Sequence, residues 1–120
     1  MCKFNKVLVE KEVEEKQKEY MDNHGIQHRI FQPIQVAPNL VLSIQASYAH
    51  YCTPRETLKD LDNYTHWEFA LVGEDDFVSV KSVLPDFPSL AELELYFEGS
   101  VYCYVPTDLV DELYIALQNY

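Results

Sequence analysis

From Leu40 to Tyr48 the residues alternate without a break: Leu40, Leu42, Ile44, Ala46 and Tyr48 share one side, and Val41, Ser43, Gln45 and Ser47 share the other. Period-two alternation over this length predicts a half-buried strand. A second strand is predicted where Trp67, Phe69 and Leu71 alternate with His66, Glu68 and Ala70, and its opposite face is again polar. The stretch EDDFVSVKSV reads as a tight acidic turn followed by a short strand that folds back on the preceding one. Upstream, IQHRIFQPIQV is β-prone but interrupted by Pro33, as suits an edge strand.

Helical signals occupy the two ends. Residues Val7 to His24 are rich in helix formers, with Val9, Val13, Tyr20 and Met21 as a thin apolar stripe and Gly25 placed as a cap. Ser89 and Glu92 have the form of a capping box, so SLAELELYFE is expected to be a short helix closed by Gly99, with a strand over the alternating LELYF as the alternative. Ser100 to Val105 is strand-like. Thr107 is then expected to cap a last helix, with Asp108 and Asp111 near its positive end and Leu109, Val110, Leu113, Ile115, Ala116 and Leu117 as the buried stripe.

No repeat, linker or low-complexity tract breaks this order. The expectation is a single domain over residues 1–120, with a helical segment at 1–25 and an α+β core at 26–120. Its architecture should be a mainly antiparallel sheet with an N-terminal and a C-terminal helix packed on one face. The other face is left for a ligand or a second subunit, and a homo-oligomer is expected.

Charge narrows the partners. The net charge is −11, five of the seven lysines precede residue 20, and nothing from Ser82 to Tyr120 is basic. Such a chain lacks the clustered Lys and Arg that hold phosphates, so direct binding of duplex DNA or of an anionic membrane is not expected. Residues 30–54 carry no charge, but Pro33, Pro38, Asn39 and several Gln and Ser make them unsuited to crossing a bilayer. Cys2, Cys52 and Cys103 stand at no ligand-like spacing, and no signal-like apolar run opens the chain, so a cytoplasmic setting is expected.

Candidate chemistry gathers at HYCTPR, between the two alternating strands. Arg55 is one of only two arginines, and a guanidinium can grip a phosphate or carboxylate through two hydrogen bonds. A ligand site is therefore expected from His50, Tyr51, Thr53, Arg55, Tyr64, His66 and Trp67, with Tyr102 and Tyr104 on one face of their strand lining it. The competing expectation is that Arg55 pairs with Glu56, Asp60 or Asp62 and pins the loop. Cys52 has no glycine-rich turn or helix start after it, so a structural cysteine is the simpler reading. His50, Cys52, His66 and Glu68 match no zinc spacing, and no phosphate-binding or hydrolytic motif occurs. No catalytic residue, metal or cofactor is assigned.

The segments SIQASYAHYCTPRETLKDLDNYTHWEFAL and GSVYCYVPTDLVDEL resemble a group of small acidic bacteriophage proteins, through the pattern SxQAS, HYCxPR, YTxxE and VYxYVP. The similarity spans about residues 39–117; the lysine-bearing N-terminal helix is not part of it. The resemblance implies a phage counter-defence protein that binds rather than catalyses. Three readings follow: capture of a small nucleotide-like anionic ligand such as a host immune signal; inhibition of a basic host defence nuclease, with Asp86, Glu92, Glu94, Glu98, Asp108, Asp111 and Glu112 standing in for phosphates; and a small hydrolase using His50 and Cys52 or His66 and Glu68.

Overall fold

The computed structural model describes residues 4–11, 15–24 and 29–120. In chain order the elements are α1 (Glu15–Asn23), β1 (Ile34–Ala37), β2 (Leu40–Gln45), β3 (His66–Val72), β4 (Phe77–Val78), α2 (Val80–Val83), α3 (Leu90–Glu94), β5 (Phe97–Glu98), β6 (Val101–Pro106) and α4 (Thr107–Gln118). The strands form an open antiparallel sheet in the order β1-β2-β3-β6-β5, with β4 also paired to β3. The fold is α+β.

The core lies on the face that the alternation marks. Leu42, Ile44, Trp67, Phe69 and Leu71 are fully buried, and α4 covers β3 and β6 with Leu109, Val110, Leu113 and Leu117. Aromatic rings dominate the middle of this layer. Phe69 and Tyr102 stack at 4.4 Å, and Phe4 meets Trp67 edge-on at 4.9 Å. The Tyr102 hydroxyl accepts the Val80 amide at 2.9 Å and so ties the start of α2 to the sheet. The opposite face carries small or polar residues, Val41, Ser43 and Gln45 beside Val72, Ala70 and Glu68.

Several expectations need correction. The N-terminal helix begins at Glu15, not near Val7; residues 9–11 instead run extended beside Phe31, with Gln32 donating to the Val9 carbonyl at 2.6 Å and Lys11 to that of Ile30 at 2.8 Å. β-branched valines favour that extended form. Val9 and Tyr20 are exposed, so they do not form a buried stripe; the N-terminal segment is anchored through Phe4, whose amide donates to Asp111 at 3.1 Å. Val13, Gly25, Cys2 and the side chain of Met21 lie outside the described residues.

Elsewhere competing partners change the local outcome. Ser89 does not cap α3, because its hydroxyl lies 2.9 Å from both carboxylate oxygens of Glu112. That helix ends at Glu94, and Gly99, at φ 78°, turns the β5–β6 hairpin rather than closing a helix. Thr107 opens α4 without capping it; its Oγ1 accepts the Trp67 indole N–H at 3.0 Å and donates to the Tyr64 carbonyl at 3.1 Å. Tyr48 and Ile115 are exposed rather than buried.

Candidate functional site

The strand pair β3–β6 is irregular at its centre. Trp67 faces Val105 and Phe69 faces Tyr102, so the single residue Glu68 stands opposite the two residues Cys103 and Tyr104. This is a β-bulge, which leaves one residue out of the ladder and re-aims its side chain. Tyr104 is that residue: its φ is 56°, its amide donates to the Tyr51 carbonyl at 3.0 Å, and its ring is turned outward. The alternation that would have put Tyr102 and Tyr104 on one face is broken there, and Tyr102 is buried.

The bulge brings the HYCTPR loop onto β6. Tyr51 and Tyr104 lie 5.9 Å apart with their rings tilted, and the Arg55 guanidinium carbon stands 5.0 Å from the Tyr51 ring centre. Beside them opens a groove of about 580 Å³, walled by Tyr51, Tyr96 and Tyr104 with Leu95, Val101, Cys103 and Glu98. Leu95, in the lining, is 80% exposed. Among the described residues no lysine or arginine lines the groove.

A second arginine holds this loop in place. Arg29 is buried, donates to the carbonyls of Ala46 and Leu58 and to the Tyr64 hydroxyl at 2.9 Å, and lies 4.7 Å over the Phe31 ring. Tyr64 in turn donates to the Glu56 carbonyl and accepts the Leu58 amide at 2.7 Å. Residues 46–64 are thus wrapped around one buried guanidinium and one phenol. Nothing in the sequence marks Arg29: its place after a helical segment and before a strand gives no local sign of burial.

The expected site residues separate into three groups, with His50 apart from all of them. Tyr51 and Tyr104 meet at the groove, and Arg55 rests on Tyr51 without lining it. Thr53 and His66 pair through a backbone bridge beside it, with Thr53 exposed and His66 half-buried. Tyr64, Trp67 and Tyr102 are buried in the core or in the loop's hydrogen bonds and offer no ring face to a ligand. His50 points its Nδ1 at Ser47 Oγ, 2.6 Å away, and so braces the turn. Asp60 and Asp62 are engaged in other hydrogen bonds, Asp60 accepting the Asp62 amide and Asp62 accepting the distant Asn5 side chain, while Arg55 rests on an aromatic ring. Leu95, Tyr96, Val101 and Cys103 were missed as site residues, the first two because an expected helix covered them, and Glu98 was expected only as a surface acid.

Electrostatics at the groove are set by carboxylates. Glu68 accepts the Tyr51 amide at 3.3 Å, and burial pushes its pKa up against the opposing pull of that N–H and of Arg55. Burial, followed by the negative charges of Glu68 and Glu98, also pushes the Cys103 thiol up. Cys52 is buried with Sγ 3.2 Å from the Ser47 carbonyl; burial raises its pKa too, so it is held as a thiol. Among the described residues no group of three or more His, Cys, Asp or Glu is placed to hold a metal ion. Of the seven acids considered as phosphate surrogates, Asp86, Glu92, Glu94, Glu98 and Asp108 are exposed, whereas Asp111 and Glu112 are used in the internal hydrogen bonds described above.

Among the described residues no helix is long and apolar enough to cross a membrane. Compared with protein-family models, with curated proteins and with solved structures, the chain matches none.

Proposed function

We propose that this is a non-catalytic binding protein whose aromatic groove and acidic rim dock onto a basic surface of a partner protein, and that the partner is a host defence nuclease. The observation that carries this reading is the groove at the β3–β6 bulge, where three tyrosines and an exposed leucine meet Glu98 and, among the described residues, no cation lines the space. Tyrosines supply large, rigid contact area of the kind that dominates protein interfaces. A net charge of −11 draws a basic partner and repels an anionic one. The phage-like sequence pattern supplies the class of target.

A second reading keeps one observation of its own. Arg55 over Tyr51 joins a cation to an aromatic face, as capture of a small nucleotide-like anion would require. It ranks below the first because Arg55 is one exposed cation within reach of the Glu68 carboxylate, in a chain that is strongly negative overall.

The test is inhibition of a panel of nucleases with basic clefts, with dissociation constants measured at about 50 and about 200 mM salt. Expected is a nuclease that is bound and inhibited competitively with its nucleic acid, about tenfold or more weakly at the higher salt. Reversing Glu92, Glu94 and Glu98 together to lysine should abolish binding. Absence of binding across the panel at low salt overturns the reading. A thermal shift with cyclic dinucleotides that is lost in Arg55→Ala would put ligand capture in its place.

A further inference from the structure

We propose that the groove at the β3–β6 bulge is the seat for an arginine side chain of the partner, stacked on Tyr104 and Tyr51 and paired with Glu98. This rests on the basic-partner reading and adds the chemistry of the anchor.

Three features choose guanidinium over ammonium. First, the walls are aromatic faces: Tyr96 and Tyr104 join Tyr51 around a space of about 580 Å³. A guanidinium is planar and weakly hydrated, so it stacks on such faces, whereas an ammonium keeps its water. Second, a carboxylate lies in the same groove. Glu98 pairs with Val101 across the hairpin and is exposed, so its two oxygens are free to meet the two-pronged N–H fork of an arginine. Third, the same tyrosine already holds a guanidinium, that of Arg55, at 5.0 Å. The exposed Leu95 flanks the groove and would cover the aliphatic stem of the incoming side chain.

The position of Tyr104 supports the assignment. Without the bulge, alternation would turn that residue toward the core with Tyr102. With φ at 56° it instead stands 41% exposed and faces Tyr51. A tyrosine held in the left-handed region, at some cost in backbone energy, is the kind of conformation that binding sites retain.

The experiment is calorimetric titration of the full chain with two capped dodecapeptides of equal charge, identical except that one carries four arginines and the other four lysines. At about 150 mM salt the arginine peptide should bind about tenfold or more tightly than the lysine peptide. Glu98→Gln and Tyr104→Ala should each remove that preference, and Asp75→Asn, in the exposed turn between β3 and β4, should leave it unchanged. Because Tyr104→Ala alters a special backbone position, Tyr96→Ala is the second aromatic variant. Equal affinity for the two peptides overturns the arginine seat while leaving the basic-partner reading intact. No binding of either peptide in a chain that does inhibit a nuclease also overturns the seat, and no binding of peptides or nucleases removes both.

Discussion

Glu68 accepts the backbone amide of Tyr51 at 3.3 Å, so a half-buried carboxylate on β3 holds the first residue of the groove. Burial raises its pKa above the ordinary 4.5, and the folded state therefore binds the proton more tightly than the unfolded chain. By linkage, the stability that goes with this group is present at low pH and is lost as pH rises from its unfolded value through its raised folded one.

Glu68→Gln keeps an oxygen for the Tyr51 amide and removes the charge. The variant should be more stable than the parent at about pH 7.5, and the difference should shrink toward zero at about pH 4. Urea midpoints at the two pH values measure this. A variant less stable at neutral pH would mean that attraction to Arg55, rather than burial, governs Glu68.

The two arginines should differ sharply in what they contribute. Arg29→Ala strands the carbonyls of Ala46 and Leu58 and the Tyr64 hydroxyl in a buried setting, which should cost about 3 to 5 kcal/mol. Arg55→Ala, at an exposed side chain, should change stability by less than about 0.5 kcal/mol. Thermal melting separates the pair, and equal destabilisation would contradict the roles assigned to them.

Much of the fold was legible because burial on one sheet face imposes a period of two. Leu40, Leu42 and Ile44 and then Trp67, Phe69 and Leu71 marked β2 and β3, and the apolar stripe marked α4. What was illegible came from contacts between distant residues. Ser89 turns to Glu112 rather than to its own helix, and Thr107 bonds Trp67 and the Tyr64 carbonyl. At the site, Tyr51 does meet Tyr104 and Arg55, but the bulge that joins them carries no glycine or proline to announce it. Arg29 was hidden for a related reason: the groups that make its burial tolerable come from a loop some 17 to 35 residues further along the chain.

Thiol labelling gives an independent view of the groove. Cys103 lines it and Cys52 is buried, and both thiols are pushed up by burial, so near neutral pH neither is a good nucleophile. In a Cys2→Ser background, iodoacetamide should modify Cys103 slowly, at a rate that rises about tenfold per pH unit while the thiol remains protonated, and should leave Cys52 untouched in the native state. The arginine peptide should protect Cys103. Fast labelling of Cys52 at neutral pH would instead revive a nucleophilic reading of the HYCTPR loop.

Tyr104 offers the sharpest separation of stability from binding. Its φ of 56° lies where a side chain is disfavoured and glycine is at ease, by about 1 kcal/mol. The residue is 41% exposed, so loss of the ring removes some contact area, that against Tyr51 included, which offsets part of the gain. Tyr104→Gly should therefore leave stability unchanged or raise it by up to about 1 kcal/mol, while keeping the amide that bonds the Tyr51 carbonyl. Partner binding should fall about tenfold or more, because an aromatic wall of the groove is gone. Denaturant unfolding and peptide titration on the same preparation check both halves. A strongly destabilised Tyr104→Gly would make the residue a structural member of the bulge, and unchanged binding would move the docking surface away from it.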